Sequence, residues 1–173
     1  ILNAYEWGDP SGPPVVCLHG VTGHGARFRA LAERLPGRRV VGVDLRGHGR
    51  SGGARGHAPS LDAYMQDIRR VFQEMTPRYP QIPHFLYGHS LGGLLVLAYA
   101  IQYGSGLRGV MVTGAALRDS LQEQKAKLAL VKLLAPILPT MSIHSGLDMT
   151  ALSHDPAIIE AYRNDPLVHY KVT

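Results

Sequence analysis

The chain has 173 residues and a mass of 18.8 kDa, the size of one domain with a buried core. Hydrophobic residues make up 45% and charged residues 18%, which excludes a disordered chain, and no apolar run approaches the ~20 residues of a membrane-spanning helix. The net charge of +5 is mostly scattered arginine in the first third, without interleaved aromatics, a pattern that argues against a nucleic-acid partner and leaves weak attraction to anionic lipid surfaces open.

The predicted elements alternate. Residues 15–18 (Val-Val-Cys-Leu) follow Pro13-Pro14 and read as a buried strand. Cys17 in that strand is the single cysteine, which excludes an internal disulfide and fits a reducing, cytoplasmic compartment. Phe28, Leu31, Ala32 and Leu35 have helical spacing over 26–35, closed by Pro36-Gly37. Residues 40–43 form a second buried strand. Ser60 is placed to cap a helix whose face is Leu61, Tyr64, Ile68, Val71, Phe72 and Met75, ending before Pro77. A strand at 85–87, an apolar helix at 91–103 and a strand at 110–112 follow. Near-continuous apolar strands between helices indicate an α/β fold with a mostly parallel sheet covered on both faces.

Beyond residue 119 the pattern changes. Leu128, Val131 and Leu134 mark an amphipathic helix over 121–134, with Lys125 and Lys132 elsewhere on it. Residues 140–173 read as loops and short helices, one over 156–163, with no further clear strand. The chain is therefore expected to divide into a core, 1–119, and a helical lid-like segment, 120–173. It opens on Ile1 and closes on Thr173 without a helix cap, so the native chain is expected to continue past Thr173, and its targeting signal is not legible.

The main chemical signal is Gly88-His89-Ser90-Leu91-Gly92, which fits G-x-S-x-G between a strand and a helix. A serine nucleophile must stand clear of the backbone on a sharp turn, and bulky side chains two before and two after it would collide. The following helix brings the Leu91 N–H and the positive dipole end next to a developing oxyanion. A second donor could come from the glycine-rich loop after the first strand, His19-Gly20-Val21. Gly47-His48-Gly49-Arg50-Ser51-Gly52 satisfies G-x-G-x-x-G, but Gly53 to Pro59 prolongs the loop where a dinucleotide site needs a helix to open. The nine histidines show no metal-ligand spacing, so neither a metal nor another cofactor is expected.

Taken together, His19-Gly20, Asp44 to Ser51 and Gly88 to Gly92 resemble the α/β-hydrolase superfamily in order and context. The stretch from Gly52-Gly53-Ala54-Arg55-Gly56-His57 onward, with Ser145 to Asp148, Leu152 to Pro156 and Asp165-Pro166-Leu167-Val168, is similar to monoacylglycerol lipases and lysophospholipases of the serine-aminopeptidase-like group. That resemblance implies Ser90 as nucleophile, the Val21 and Leu91 amides as oxyanion hole, and a cap over an acyl channel whose amphipathic helix touches lipid. It implies a serine hydrolase of lipid carboxylic esters, needing no cofactor. General carboxylesterases and thioesterases are the nearest enzymatic rivals.

The family's acid and histidine follow the cap, so both are expected downstream of Thr173. Substitutes within the chain are Asp119 for the acid and His144, His154 or His169 for the base. His89 is expected to point away from Ser90. Two further readings remain: a truncated, non-catalytic lipid-binding module, and a site completed by another chain or a second copy of this one.

Overall fold

The computed structural model describes residues 1–77, 84–117, 137–138 and 141–173. Five strands form one sheet: β1 (Ala4–Gly8), β2 (Pro14–Leu18), β3 (Arg39–Val43), β4 (His84–His89) and β5 (Leu107–Thr113). Their order is β1-β3-β2-β4-β5, with β1 antiparallel to β3 and the other pairs parallel. Three helices accompany the sheet: α1 (Arg29–Ala32), α2 (Leu61–Met75) and α3 (Leu91–Tyr103). Beyond them come β6 (Ile143–His144), α4 (Pro156–Arg163) and β7 (Lys171–Val172), with β6 and β7 paired antiparallel.

Strand alternation sends β2 and β3 side chains into two cores. Val16, Leu18, Val41 and Val43 pack with Leu86 against Met65, Ile68, Phe72 and Met75 of α2 and Leu95, Val96 and Tyr99 of α3. Val15, Cys17 and Val40 face the other way, against Phe28 and Ala32. Every residue of β2 is buried, which explains why it reads as an unbroken apolar run. The Ser60 hydroxyl accepts the Ala63 N–H at 3.2 Å, so α2 begins where its cap residue places it.

Three expectations need correcting. β1 is an additional strand that no apolar run marks, because Ala-Tyr-Glu-Trp-Gly alternates exposed and half-buried residues. The helix expected over 26–35 is a 3-10 turn, Gly25–Phe28, followed by only four α-helical residues. Short strands do occur beyond residue 119, as β6 and β7. The amphipathic helix over 121–134 and the 119/120 boundary lie outside the described residues. No helix among the described residues is long and apolar enough to cross a membrane.

Candidate active site

Ser90 sits between the end of β4 and the start of α3, at φ 55° and ψ −117°. An L-residue reaches this region only under strain, which the surrounding structure must hold in place. Two glycines make the turn feasible. A Cβ on Gly88 would overlap the Gly92 carbonyl, and a Cβ on Gly92 would overlap that of Leu18. The Ser90 N–H donates to the Thr113 carbonyl at 3.0 Å, and the Ser90 carbonyl accepts from Leu94 at 3.1 Å. The backbone is thereby fixed from β5 and from α3, while no group among the described residues hydrogen-bonds the hydroxyl.

Leu91 is the first residue of α3, so its N–H has no intrahelical acceptor and joins the positive end of the helix. Gly20 packs against Ser90, with its Cβ direction 3.1 Å from the Ser90 Cβ. Val21 follows it in a turn closed by the Gly23 N–H on the Gly20 carbonyl at 3.2 Å. Ser90, Gly20 and Val21 line one cavity of about 330 Å³. Its wall also includes Phe28 and Tyr87 and, from segment 141–173, Leu147, Leu152, Ile158, Ile159 and Tyr162, so a mostly aliphatic set roofs the serine. A larger cavity, about 650 Å³, lies between β1, β3 and α2, but no residue of the elbow or of the loop after β2 lines it, so the chemistry points to the smaller one.

The histidines divide clearly. His19 lines the cavity but is fully committed. Its Nε2 accepts the Leu45 N–H at 3.0 Å, which leaves Nδ1–H to donate to the Gly20 carbonyl at 2.7 Å. Burial, reinforced by neighbouring His48, pushes its pKa down to about 3, so it is a neutral brace. His89 also lines the cavity, and its Nδ1 pairs with the Thr113 hydroxyl at 3.0 Å, which ties it to β5. His169 packs tilted against His48 with ring centroids 4.7 Å apart, and His144 stacks on Tyr170 at 5.4 Å. Neither they nor His154 line the cavity, so the structure brings none of the three substitute bases to Ser90. Asp119 lies outside the described residues. Among the described residues, no three His, Cys, Asp or Glu side chains gather as a metal site.

Asp44 carries no chemical motif of its own in the sequence, and the structure shows what it does. Its carboxylate is wholly buried and accepts N–H groups from Gly25 at 2.6 Å and Arg50 at 2.8 Å, and the Asn3 side-chain amide at 2.9 Å. Gly49, at φ 49°, passes so close that a Cβ there would overlap the carboxylate. The G-x-G-x-x-G stretch is therefore a loop wrapped around an aspartate, and it braces the segment after β2 through Gly25. An acid at the end of an apolar strand, three residues before the paired glycines Gly47 and Gly49, is the signal that could have found it.

A strained serine elbow, a neighbouring glycine loop and an aliphatic roof thus meet at one cavity. The family model described as "Serine aminopeptidase, S33" (Hydrolase_4) matches residues 11–173. The chain belongs to this family. Like its relatives, this S33-family chain has the α/β-hydrolase fold. It is 34% identical over 164 residues to a monoacylglycerol lipase of Mycolicibacterium smegmatis, covering 94% of this chain and 58% of that one. It is 32% identical to a monoglyceride lipase of Mus musculus, covering 92% and 54%. The crystal structure of a Paleococcus ferrophilus monoacylglycerol lipase superposes with a TM-score of 0.88 at 36% identity, covering 100% of this chain and 66% of that one. A soluble variant of a Saccharomyces cerevisiae monoglyceride lipase, in complex with a substrate analog, shares the fold with a TM-score of 0.82 at 22% identity. The chain thus spans a little over half the length of the curated lipases it matches.

Proposed function

We propose that this chain carries the nucleophile and oxyanion half of a serine hydrolase acting on carboxylic esters of lipids, of the monoacylglycerol lipase or lysophospholipase type. The observation that carries the reading is Ser90, held at φ 55° on a strand–helix elbow and facing a cavity roofed by Leu147, Leu152, Ile158 and Ile159. The relatives' names and the fold support it. In the proposed reaction the Ser90 Oγ attacks the ester carbonyl, and the developing oxyanion receives the N–H groups of Val21 and Leu91. The alcohol departs with the serine's proton, relayed by a base, and water then releases the fatty acid.

The acid and the histidine of the triad are proposed to lie downstream of Thr173. Two observations support that placement. No described histidine reaches the Ser90 hydroxyl, and β5 presents an outer edge where Val110 and Met111 are 41% and 45% exposed. Residues 1–119 are proposed as core and 120–173 as cap, with the cap meeting the lipid surface. The buried free thiol of Cys17 suits a cytoplasmic setting.

The test is fluorophosphonate labelling of the whole protein with intact-mass and peptide analysis, followed by hydrolysis of monoacylglycerols and simple alcohol esters of matched chain length. One adduct on Ser90 and a preference for long-chain glycerol esters are expected. Equal rates on simple esters would make it a general carboxylesterase, and thioester preference a thioesterase. No adduct on a folded protein would leave a lipid-binding module. Activity that rises with protein concentration would point to completion by a second chain.

A further inference from the structure

Thr22 is the other non-glycine residue with positive φ among the described residues, at 66°. It is the third residue of the Gly20-Val21-Thr22-Gly23 turn, and Val21 before it is not in that region. That is the type II pattern, whose third position ordinarily goes to glycine or asparagine. A β-branched residue there is an outlier, held only by its surroundings. Thr22 is 0% exposed, so its side chain is packed on all sides as well as strained in its backbone.

The hydroxyl supplies a reason for threonine at this position. Thr22 Oγ1 and the Tyr162 phenol share a hydrogen bond of 2.7 Å across 140 residues of sequence. Tyr162 belongs to α4, is 6% exposed, and carries the Arg27 guanidinium 4.0 Å above its ring. Two residues along the loop, His24 Nε2 pairs with the Asp165 carboxylate at 2.7 Å, just past the end of α4. Burial pushes the Asp165 carboxyl up, but the Leu167 N–H, His24 and Arg27 outweigh it and hold it below the ordinary carboxylate value. The strained turn is thus fastened to the cap helix at two points, and the residue between Gly20 and Thr22 is Val21.

We infer that Thr22 and Tyr162 are a positioning pair: the seated cap helix holds Thr22 in its left-handed conformation and so sets the Val21 amide, coupling cap closure to formation of the oxyanion hole. This rests on the oxyanion role proposed for Val21. Tyr162 lines the cavity together with Ser90, but among the described residues neither it nor Thr22 hydrogen-bonds the Ser90 hydroxyl. When α4 lifts, the hydrogen bond is lost, Thr22 relaxes toward negative φ, and the peptide carrying the amide turns away.

A double-mutant cycle tests the coupling, because glycine needs no help to hold positive φ. In the whole protein, Tyr162→Phe keeps the ring and its stacking and removes only the hydroxyl. It is expected to lower kcat for a long-chain monoacylglycerol about five- to tenfold, the usual weight of one buried hydrogen bond, with KM nearly unchanged. Thr22→Gly is the reference background: whatever its own kcat, adding Tyr162→Phe to it should cost nothing more. Thr22→Val, which removes the same bond from the other side, should match Tyr162→Phe. An equal loss from Tyr162→Phe in both backgrounds would overturn the proposal, since Tyr162 would then only pack the cap. So would a Thr22→Val variant as active as wild type. Amide hydrogen exchange over residues 20–24 gives a readout independent of turnover: Tyr162→Phe should accelerate it with Thr22 present and leave it unchanged with Thr22→Gly. If the exchange cycle holds in a protein with no esterase activity, the proposed function fails and the coupling stands. If the esterase is active and the cycle is additive, the coupling fails alone.

Discussion

Gly92 lies directly against the main-chain carbonyl of Leu18, so α3 meets β2 without a side chain between them. That approach holds the start of α3, and with it the Leu91 amide, beside the loop that leaves β2. Gly92→Ala would place a Cβ on backbone atoms that cannot rotate away. The expected cost is about 1–3 kcal/mol of stability from overpacking, with α3 pushed off the sheet. Urea unfolding measures the first effect, and the rate of fluorophosphonate labelling the second. A variant with unchanged midpoint and labelling rate would show that the contact is slack.

Ser90 pays for its position in backbone strain of roughly 1–3 kcal/mol. Ser90→Gly removes the strain together with the nucleophile. It is expected to raise stability by about 1 kcal/mol, or ~2–4 °C in Tm for a chain of this size, while abolishing labelling. Ser90→Ala should lose labelling without the gain in Tm. If both variants melt like the wild type, the elbow is not strained.

The sheet order was legible only in part. β2 and β3 are buried on both faces and announce themselves as apolar runs, and β4 still shows through Phe85-Leu86-Tyr87, whereas β1 alternates exposed and half-buried residues that no short-range apolar run marks. Ser90 was legible because its turn needs glycines at fixed offsets. The fastening of α4 to the loop after β2 was not, because the Thr22–Tyr162 and His24–Asp165 contacts span 140 and 141 residues. Asp44 was hidden for the same reason, since its partners come from three separate segments.

Cys17 lies in β2 with its side chain wholly buried, and burial pushes its pKa up to about 12. A thiol that is neither exposed nor ionised is inert. Iodoacetamide at neutral pH is expected to leave the native protein unmodified and to label one site in urea. Labelling of Cys17 under native conditions at a rate independent of urea would show that β2 is open to solvent.

His19 and His48 make the fold acid-sensitive above the range where carboxylates titrate. Burial, first of all, pushes His48 down to about 4 and His19 to about 3, against an ordinary 6.5. Their rings are 5.2 Å apart, so a charge on one disfavours a charge on the other. Around His48 stand His169 and Arg55, which oppose protonation, and Asp44, which favours it. The unfolded chain therefore binds more protons than the folded one below about pH 6.5, and stability rises with pH through this window. As pH falls from 6.5 toward 4, each imidazole removes up to about 1.4 kcal/mol per pH unit. Only below the folded value does His48 take its proton in the native state and stop contributing. His48→Asn keeps a donor for the Arg46 carbonyl, which accepts the His48 Nδ1–H at 2.9 Å, and removes one titrating ring. Urea unfolding between about pH 7.5 and 4.5 should show a shallower acid slope in this variant. An identical slope would assign the acid sensitivity to other groups.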